Sequence, residues 1–279
     1  MARPLVSVIV PTYNSAAFLE RSLRSIRAQD YEPLEIVVAD NASTDDTVAI
    51  AHRLADVVIQ AGPERCAQCN AAVRAAHGEL VYRVDSDFVL EPGVVAAAVE
   101  LCERGADAVL VNNESEPSVS FWARVRYFER CMYKDSALHV GARFFRRSAF
   151  EAVGGFDESL LAGEDYDIHN RLLKAGYRIA GPVAPVERHL GEPTALTEIA
   201  RKSFFYGRSM GAFLQRNGSR GVAQMSPLRA AYVRHWRDFV REPRIGAAFV
   251  LMQAVKYACG AAGLAYEALR RPRSASRAS

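Results

Sequence analysis

Two carboxylates one residue apart, Asp85 and Asp87 of Asp85-Ser86-Asp87, follow the strand-like apolar run at residues 79–84. Such a pair points into the crevice beyond the strand's carboxyl end, where open α/β sheets bind their ligands. Carboxylate oxygens are hard donors suited to Mg2+ or Mn2+, and those ions are commonly shared with substrate phosphates. The chemistry implied is the holding of a metal-bound nucleotide diphosphate. The same tripeptide is also an ordinary way to close a strand, because Asp favours turns. The rest of the chain has to decide between the two.

The elements that would position this pair alternate in type. Apolar runs of strand length stand at residues 6–11, 34–39, 57–60, 79–84 and 108–112. Helical spacing separates them. Residues 15–28 place Phe18, Leu19, Leu23 and Ile26 on one face, and 45–54, 67–76 and 92–102 read as further helices, the last opened by Pro92. Strands and helices alternating at this spacing predict an α/β fold with a mostly parallel central sheet, Rossmann-like, covered by helices on both faces. The strand-to-helix loops Thr12-Tyr13-Asn14, Asp40-Asn41 and Asp85-Ser86-Asp87 then gather at one edge of the sheet.

The chain has 279 residues and 50% hydrophobic content, enough for one large domain or a domain plus an extension. Five cysteines are scattered along it. Cys66-x-x-Cys69 has the spacing of a redox pair or half a zinc site, but no second Cys or His pair stands at zinc-ligand spacing. Reduced thiols of a cytosolic protein are the expectation. Residues 6–10 are too short for the apolar stretch of a signal peptide. The net charge of +3 is unevenly spread: residues 1–190 carry 20 Lys and Arg against 27 Asp and Glu, a balance of −7, and residues 191–279 carry 15 against 5, a balance of +10. An acidic globular part joined to a basic tail predicts an anionic partner for the tail.

Six short stretches, taken together, resemble the family 2 glycosyltransferases. They are Val8-Ile9-Val10-Pro11-Thr12-Tyr13-Asn14; the run from Glu35 through Asp40-Asn41-Ala42 to Thr47; Gly62-Pro63-Glu64-Arg65 with Asn70; Val84-Asp85-Ser86-Asp87; Gly154-Gly155-Phe156-Asp157-Glu158; and Gly163-Glu164-Asp165-Tyr166-Asp167 with Arg171 and Gly176. They cover roughly residues 5 to 190 in the expected order. The resemblance implies a GT-A fold over residues 1–190 and an inverting, metal-dependent transfer of sugar from a nucleotide-diphosphate donor. Pro11, Thr12 and Tyr13 would hold the nucleotide base, with Tyr13 against its ring face. Asp40 would accept from the base imide, which favours UDP over GDP. Arg65 would reach a phosphate or the base. Asp87 would ligate Mn2+ or Mg2+. Asp85 would contact the ribose, or the metal through water, and Ser86 would serve as a spacer beside the donor. His189 would join the metal or the diphosphate. Asp165 would be the base, because an attacking hydroxyl needs a carboxylate to take its proton. Glu164 would orient the site or the acceptor, and Asp167 would lie on the helix surface. Single displacement with one base implies inversion.

Two departures stand out. Cys69 occupies a position where the family often has Arg, and Asp40-Asn41-Ala42 replaces a frequent Asp-Asp-Gly. Asn tolerates the tight turn that this requires.

Residues 191–279 form an α-helical extension beyond that core. Residues 193–215 interleave basic and aromatic side chains, 232–240 repeat the pattern, and 244–269 are long and largely apolar with a central Lys256. Basic, aromatic-bearing helices beside an apolar one suit an anionic membrane interface. A helical subdomain packed on the catalytic part is the other reading. No recognised motif accompanies the charge, so nucleic acid is not expected as a partner. The acceptor would be a lipid-linked or envelope glycan, with the protein cytoplasmic at the inner face of the cell membrane. A nucleotidyltransferase is disfavoured because Pro11-Thr12-Tyr13-Asn14 is no Gly-rich phosphate loop. A non-catalytic nucleotide-sugar-binding module is disfavoured because Asp87 and Asp165 are both present.

Overall fold

The computed structural model describes residues 3–270 apart from Asp135 and Ala137. Its first part runs β1 (Val6–Thr12), α1 (Ala16–Arg27), β2 (Leu34–Asp40), α2 (Thr47–Leu54), β3 (Val57–Gln60), α3 (Arg65–Ala75), β4 (Leu80–Arg83), β5 (Phe88–Leu90), α4 (Val94–Glu103), β6 (Ala108–Leu110), β7 (Asn113–Ser115) and α5 (Phe121–Cys131). It continues through β8 (Ala142–Arg146), α6 (Arg147–Ala152), α7 (Glu164–Lys174), β9 (Ile179–Ala180) and β10 (Glu187–His189). Helices then close the chain: α8 (Leu196–Met225), α9 (Ala230–Arg234), α10 (Trp236–Arg241) and α11 (Pro243–Arg270).

The central sheet has seven strands in the order β3-β2-β1-β4-β8-β6-β9. The pairs β3–β2, β2–β1, β1–β4 and β6–β9 are parallel, so the sheet is mostly parallel as expected. β1 is buried along its whole length, which is why it reads as a continuous apolar run rather than an alternating one. On one face Leu19, Leu23 and Ile26 of α1 join Val94, Val95 and Val99 of α4 in a core cluster. On the other, Cys66, Cys69 and Val73 of α3 pack with Phe150, Ile168 and Leu172.

Three local expectations change. β8 inserts antiparallel between β4 and β6, from a segment whose strand character the alternation did not signal. The strand expected at 108–112 ends at Leu110, and β7 leaves for a second sheet ordered β5-β10-β7. The helix expected from Pro92 begins at Val94, because Gly93 takes a left-handed φ of 85°. All five cysteines are free thiols, with Cys66, Cys69 and Cys102 buried in the core.

The extension packs on the sheet domain through α5. Val125, Phe128 and Met132 share an apolar cluster with Ile199 of α8 and Ile245, Phe249 and Met252 of α11. Lys256, which interrupts the apolar run of α11, places its Nζ 3.0 Å from the buried Glu129 of α5. The glycines of α11 have a packing role as well: a Cβ on Gly263 would stand 2.1 Å from the carbonyl oxygen of Phe204, so α8 and α11 meet backbone to backbone. A division of the chain at residue 190 therefore separates elements that share a core. By length and composition α11 could cross a membrane, and 28% of its apolar stretch is buried.

Candidate active site

The carboxyl ends of β1, β4 and β10 and the start of α7 border one cleft of about 760 Å³. Pro11, Thr12, Tyr13, Arg65, Asp85, Ser86, Asp87, Glu164, Asp165 and His189 all line it. Ten of the eleven residues expected at the site are thus brought together; Asp40 lies elsewhere. Tyr13 is 61% exposed at the end of β1, free to lie against a planar ring. Ser86 Oγ is 2.9 Å from Ser15 Oγ and ties the loop after β4 to the loop after β1.

Asp85-Ser86-Asp87 is a turn, with Phe88 N donating to the Asp85 carbonyl at 3.0 Å. The turn divides the two carboxylates. Asp85 is clamped: its Oδ1 accepts from Arg83 Nη2 at 2.6 Å and its Oδ2 from Arg143 Nη2 at 2.7 Å. Burial opposes its ionisation, but the charges of Arg83 and Arg143 prevail and hold the carboxyl far below the usual range. Arg143 Nη1 also lies 3.3 Å from Glu187, whose other oxygen accepts from the Tyr82 hydroxyl at 2.6 Å. Burial pushes Glu187 up to about 7. This buried network anchors the end of β4. Each oxygen of Asp85 thus accepts from one arginine, which fixes the carboxylate at the end of β4.

Asp87 faces His189 instead. Oδ2 of Asp87 and Nε2 of His189 are 2.9 Å apart. Cis ligands of a six-coordinate ion at about 2.1 Å stand about 3.0 Å apart, so the pair fits one edge of an Mg2+ or Mn2+ shell. His189 Nδ1 lies 2.6 Å from Glu192 Oε1, which fixes the ring and leaves Nε2 as the ligand atom. Burial disfavours the Glu192 carboxylate, but the His189 hydrogen bond and the charges of Arg126 and Arg130 keep it well below the usual range. Gly191 makes room for the arrangement: a Cβ there would stand 2.1 Å from Asp87 Oδ2. Among the described residues no group of three or more His, Cys, Asp and Glu could hold a metal alone. The remaining ligands would have to come from phosphate and water, as Mg2+ usually requires.

Glu164 and Asp165 open α7 behind Gly163, which is left-handed at φ 78° and covered by Phe213 of α8. Glu164 is held by Arg65 at 2.6 Å and Arg83 at 3.3 Å. Asp165 Oδ1 accepts from Tyr166 N at 2.9 Å. Burial, then the neighbouring Glu164 charge, pushes the Asp165 carboxyl up from its ordinary value. Asp167 is not on the surface, because α8 covers it: it is fully buried, accepting from Arg171 Nε at 2.8 Å and Asn217 Nδ2 at 3.1 Å.

Asp40 sits apart from the cleft. Its carboxylate accepts from Thr12 Oγ1 at 2.8 Å, Ser43 Oγ at 2.6 Å and Ser43 N at 2.8 Å. It borders a smaller depression beside Ser43 and Gln60. The left-handed residue of this turn is Ala42, at φ 52°, rather than Asn41.

Sequence reasoning missed Arg83, Arg143, Glu187 and Glu192. For Arg83 there was a signal, an arginine in the middle of an otherwise apolar strand, since such a charge is rarely buried unpaired. The others come from distant segments with no motif around them.

Residues 7–154 match the family profile described as Glycosyl transferase family 2. The succinoglycan biosynthesis protein ExoA of Rhizobium meliloti (strain 1021) is 30% identical over 253 residues, covering 80% of this chain and 74% of that protein. The GalNAc(5)-diNAcBac-PP-undecaprenol beta-1,3-glucosyltransferase of Campylobacter jejuni is 28% identical, over 59% of this chain and 55% of that enzyme. Several other curated relatives are much longer, and the chain spans between 19% and 27% of their length. Among solved structures, a mannosyltransferase from Pyrobaculum calidifontis in complex with GDP-Man and Mn2+ superposes with a TM-score of 0.61 at 24% identity, over 97% of this chain and 76% of that one. The likeness establishes the GT-A fold.

Proposed function

Because the chain belongs to glycosyl transferase family 2, and so transfers glycosyl groups, we propose that it moves a sugar from a nucleotide-diphosphate donor to a hydroxyl of a lipid-linked or envelope glycan, with inversion. UDP and GDP are the candidate donor nucleotides. The observation that carries this reading is that Asp165, a half-buried carboxylate with a raised pKa, lines the same cleft as the Asp87–His189 edge. Asp165 takes the proton of the acceptor hydroxyl as it attacks the anomeric carbon. Glu164, held by Arg65 and Arg83, keeps the first turn of α7 in place and is a positioning residue. Tyr13 stacks on the base. Thr12 and Ser43, fixed by Asp40, shape the loops that frame it. Asp87 and His189 would hold Mn2+ or Mg2+, which when bound neutralises charge on the departing diphosphate.

The extension supports placement at the inner face of the cell membrane. Leu228, Val233, Trp236 and Val240 are exposed beside basic neighbours, as are Val250 and Leu251 of α11. Co-sedimentation with anionic and neutral vesicles tests this: anionic vesicles should retain more protein, and equal recovery in the supernatant would refute it. The activity itself is tested by thermal stabilisation with UDP- and GDP-sugars, with and without Mn2+. A metal-dependent rise with at least one donor is expected, since a ligand of the native state stabilises it by mass action. No shift with any donor would contradict the proposal.

A further inference from the structure

Beyond the donor cleft lies a second cavity of about 320 Å³, walled by α5, α8 and α11. Asp165, Tyr166, Arg126 and Arg130 line both spaces, so a molecule seated in this cavity reaches the base and meets these arginines where the cavity opens into the cleft. Its volume is that of a small-ligand site. Its charge is uneven. Arg143 and Lys256 line it but are neutralised by Asp85 and Glu129. Arg126 and Arg130 share the single carboxylate of Glu192, at 2.9 and 3.7 Å, and that carboxylate is also bonded to His189. Lys202 of α8 is exposed, lines both spaces and forms no ion pair among the described residues. His139 Nε2, on the same lining, is buried with no hydrogen-bond partner among the described residues.

Half-buried guanidinium groups that outnumber their carboxylates are costly unless a further anion completes them. Arginine forks and a lysine are the usual grip on a phosphate or carboxylate. We propose that the acceptor carries an anionic group close to the hydroxyl it offers, and that Arg126, Arg130 and Lys202 hold this group in the cavity between α5, α8 and α11. The proposal rests on the reading of the cleft as a sugar-transfer site and adds the acceptor's chemical class to it. The anion is either the diphosphate of a lipid-linked glycan or the carboxylate of a uronate-bearing one. The helical extension is then part of the substrate site.

The test uses the full chain with UDP or GDP and Mn2+ present at saturation. It is titrated with farnesyl diphosphate against farnesol, and with methyl β-glucuronide against methyl β-glucoside. At least one anionic probe should bind about tenfold or more tightly than its neutral counterpart, the weight of one charge-assisted contact. The probe that does so distinguishes a lipid diphosphate from a uronate. Lys202→Ala, a change at an exposed position, should lower that affinity about tenfold while nucleotide affinity stays within about twofold. Arg126→Lys should lower it too, because a lysine cannot reproduce the fork. If neither anion outbinds its neutral counterpart, the proposal is wrong. It is equally wrong if Lys202→Ala weakens nucleotide and probe together, which would assign these charges to the donor phosphates. Failure to bind either nucleotide would instead remove the sugar-transfer reading, so the two fail separately.

Discussion

The donor cleft and the cavity beyond Asp165 handle charge in opposite ways. At the end of β4, Arg83 and Arg143 are each matched in charge by carboxylates of the chain itself, Asp85, Glu164 and Glu187. In the cavity, Arg126 and Arg130 divide one carboxylate and Lys202 has none. Matched charges make a rigid frame that presents Asp87 and Asp165 without needing a ligand to organise them. Unmatched ones leave an attraction for a ligand to satisfy. A preformed catalytic edge thus adjoins a selective pocket, and Asp165 stands in the wall they share, with Tyr166, Arg126, Arg130 and Lys202.

The largest effect should follow from removing that carboxylate. Asp165→Asn should preserve nucleotide binding and cut turnover by about 10²–10⁴, the usual weight of general-base catalysis. The base works only when deprotonated, and burial together with Glu164 raises its pKa. The rate should therefore fall on acidification from a pH above the ordinary aspartate value of about 3.9. That limb should vanish in the variant. Near-native turnover would move the base elsewhere and dissolve the comparison.

A second effect concerns how firmly the cavity walls are fixed. Lys256→Ala leaves Glu129 buried without its partner. Breaking a buried pair costs about 3–5 kcal/mol, reduced here to about 2–4 because Lys256 is one-third exposed. Urea unfolding measures it. Burial opposes ionisation of Glu129, yet Lys256 lowers its pKa to about 2. The stabilisation should be complete above the ordinary glutamate value of about 4.3 and be lost as pH falls toward about 2. An unchanged unfolding midpoint at neutral pH would mean that the extension is not bound to α5 by this pair.

Legibility follows the same division. The nucleotide side of the cleft is made of residues just past strand ends, where apolar runs locate the strands and the next few residues must be loops. Tyr13 and Asp87 are readable for that reason, whereas Glu164 and Asp165, which open a helix, are readable from the resemblance of Gly163-Glu164-Asp165-Tyr166-Asp167. The split between Asp85 and Asp87 was not, because it depends on Arg143 arriving from β8 nearly sixty residues later. Nor was the burial of Asp167, since the basic, aromatic-bearing helix that covers it reads equally well as a surface helix. The cavity draws two to four residues from each of α5, α8 and α11, and helical periodicity shows which face of a helix is apolar but not which helix it meets.

The smallest effect probes the frame of the donor loops. Ala42 holds a left-handed φ of 52°, which costs an alanine about 1–2 kcal/mol. Ala42→Gly should relieve that strain, offset by about 0.4–1 kcal/mol of unfolded-state entropy, for a net gain of about 0.5–1 kcal/mol. Thermal unfolding would show it, with turnover unchanged; a loss of stability would mean that the turn is held differently.

The central claim is that Asp87, with His189, forms the metal edge on which the donor diphosphate sits, while Asp85 belongs to the frame. Calorimetric titration of UDP and GDP, with and without Mn2+, tests it in the unsubstituted chain and in Asp87→Ala. The unsubstituted chain should bind at least one nucleotide more tightly with Mn2+. Asp87→Ala should lose that metal-dependent increment while unfolding at a similar temperature. Metal-dependent binding of equal strength in the variant would contradict the claim.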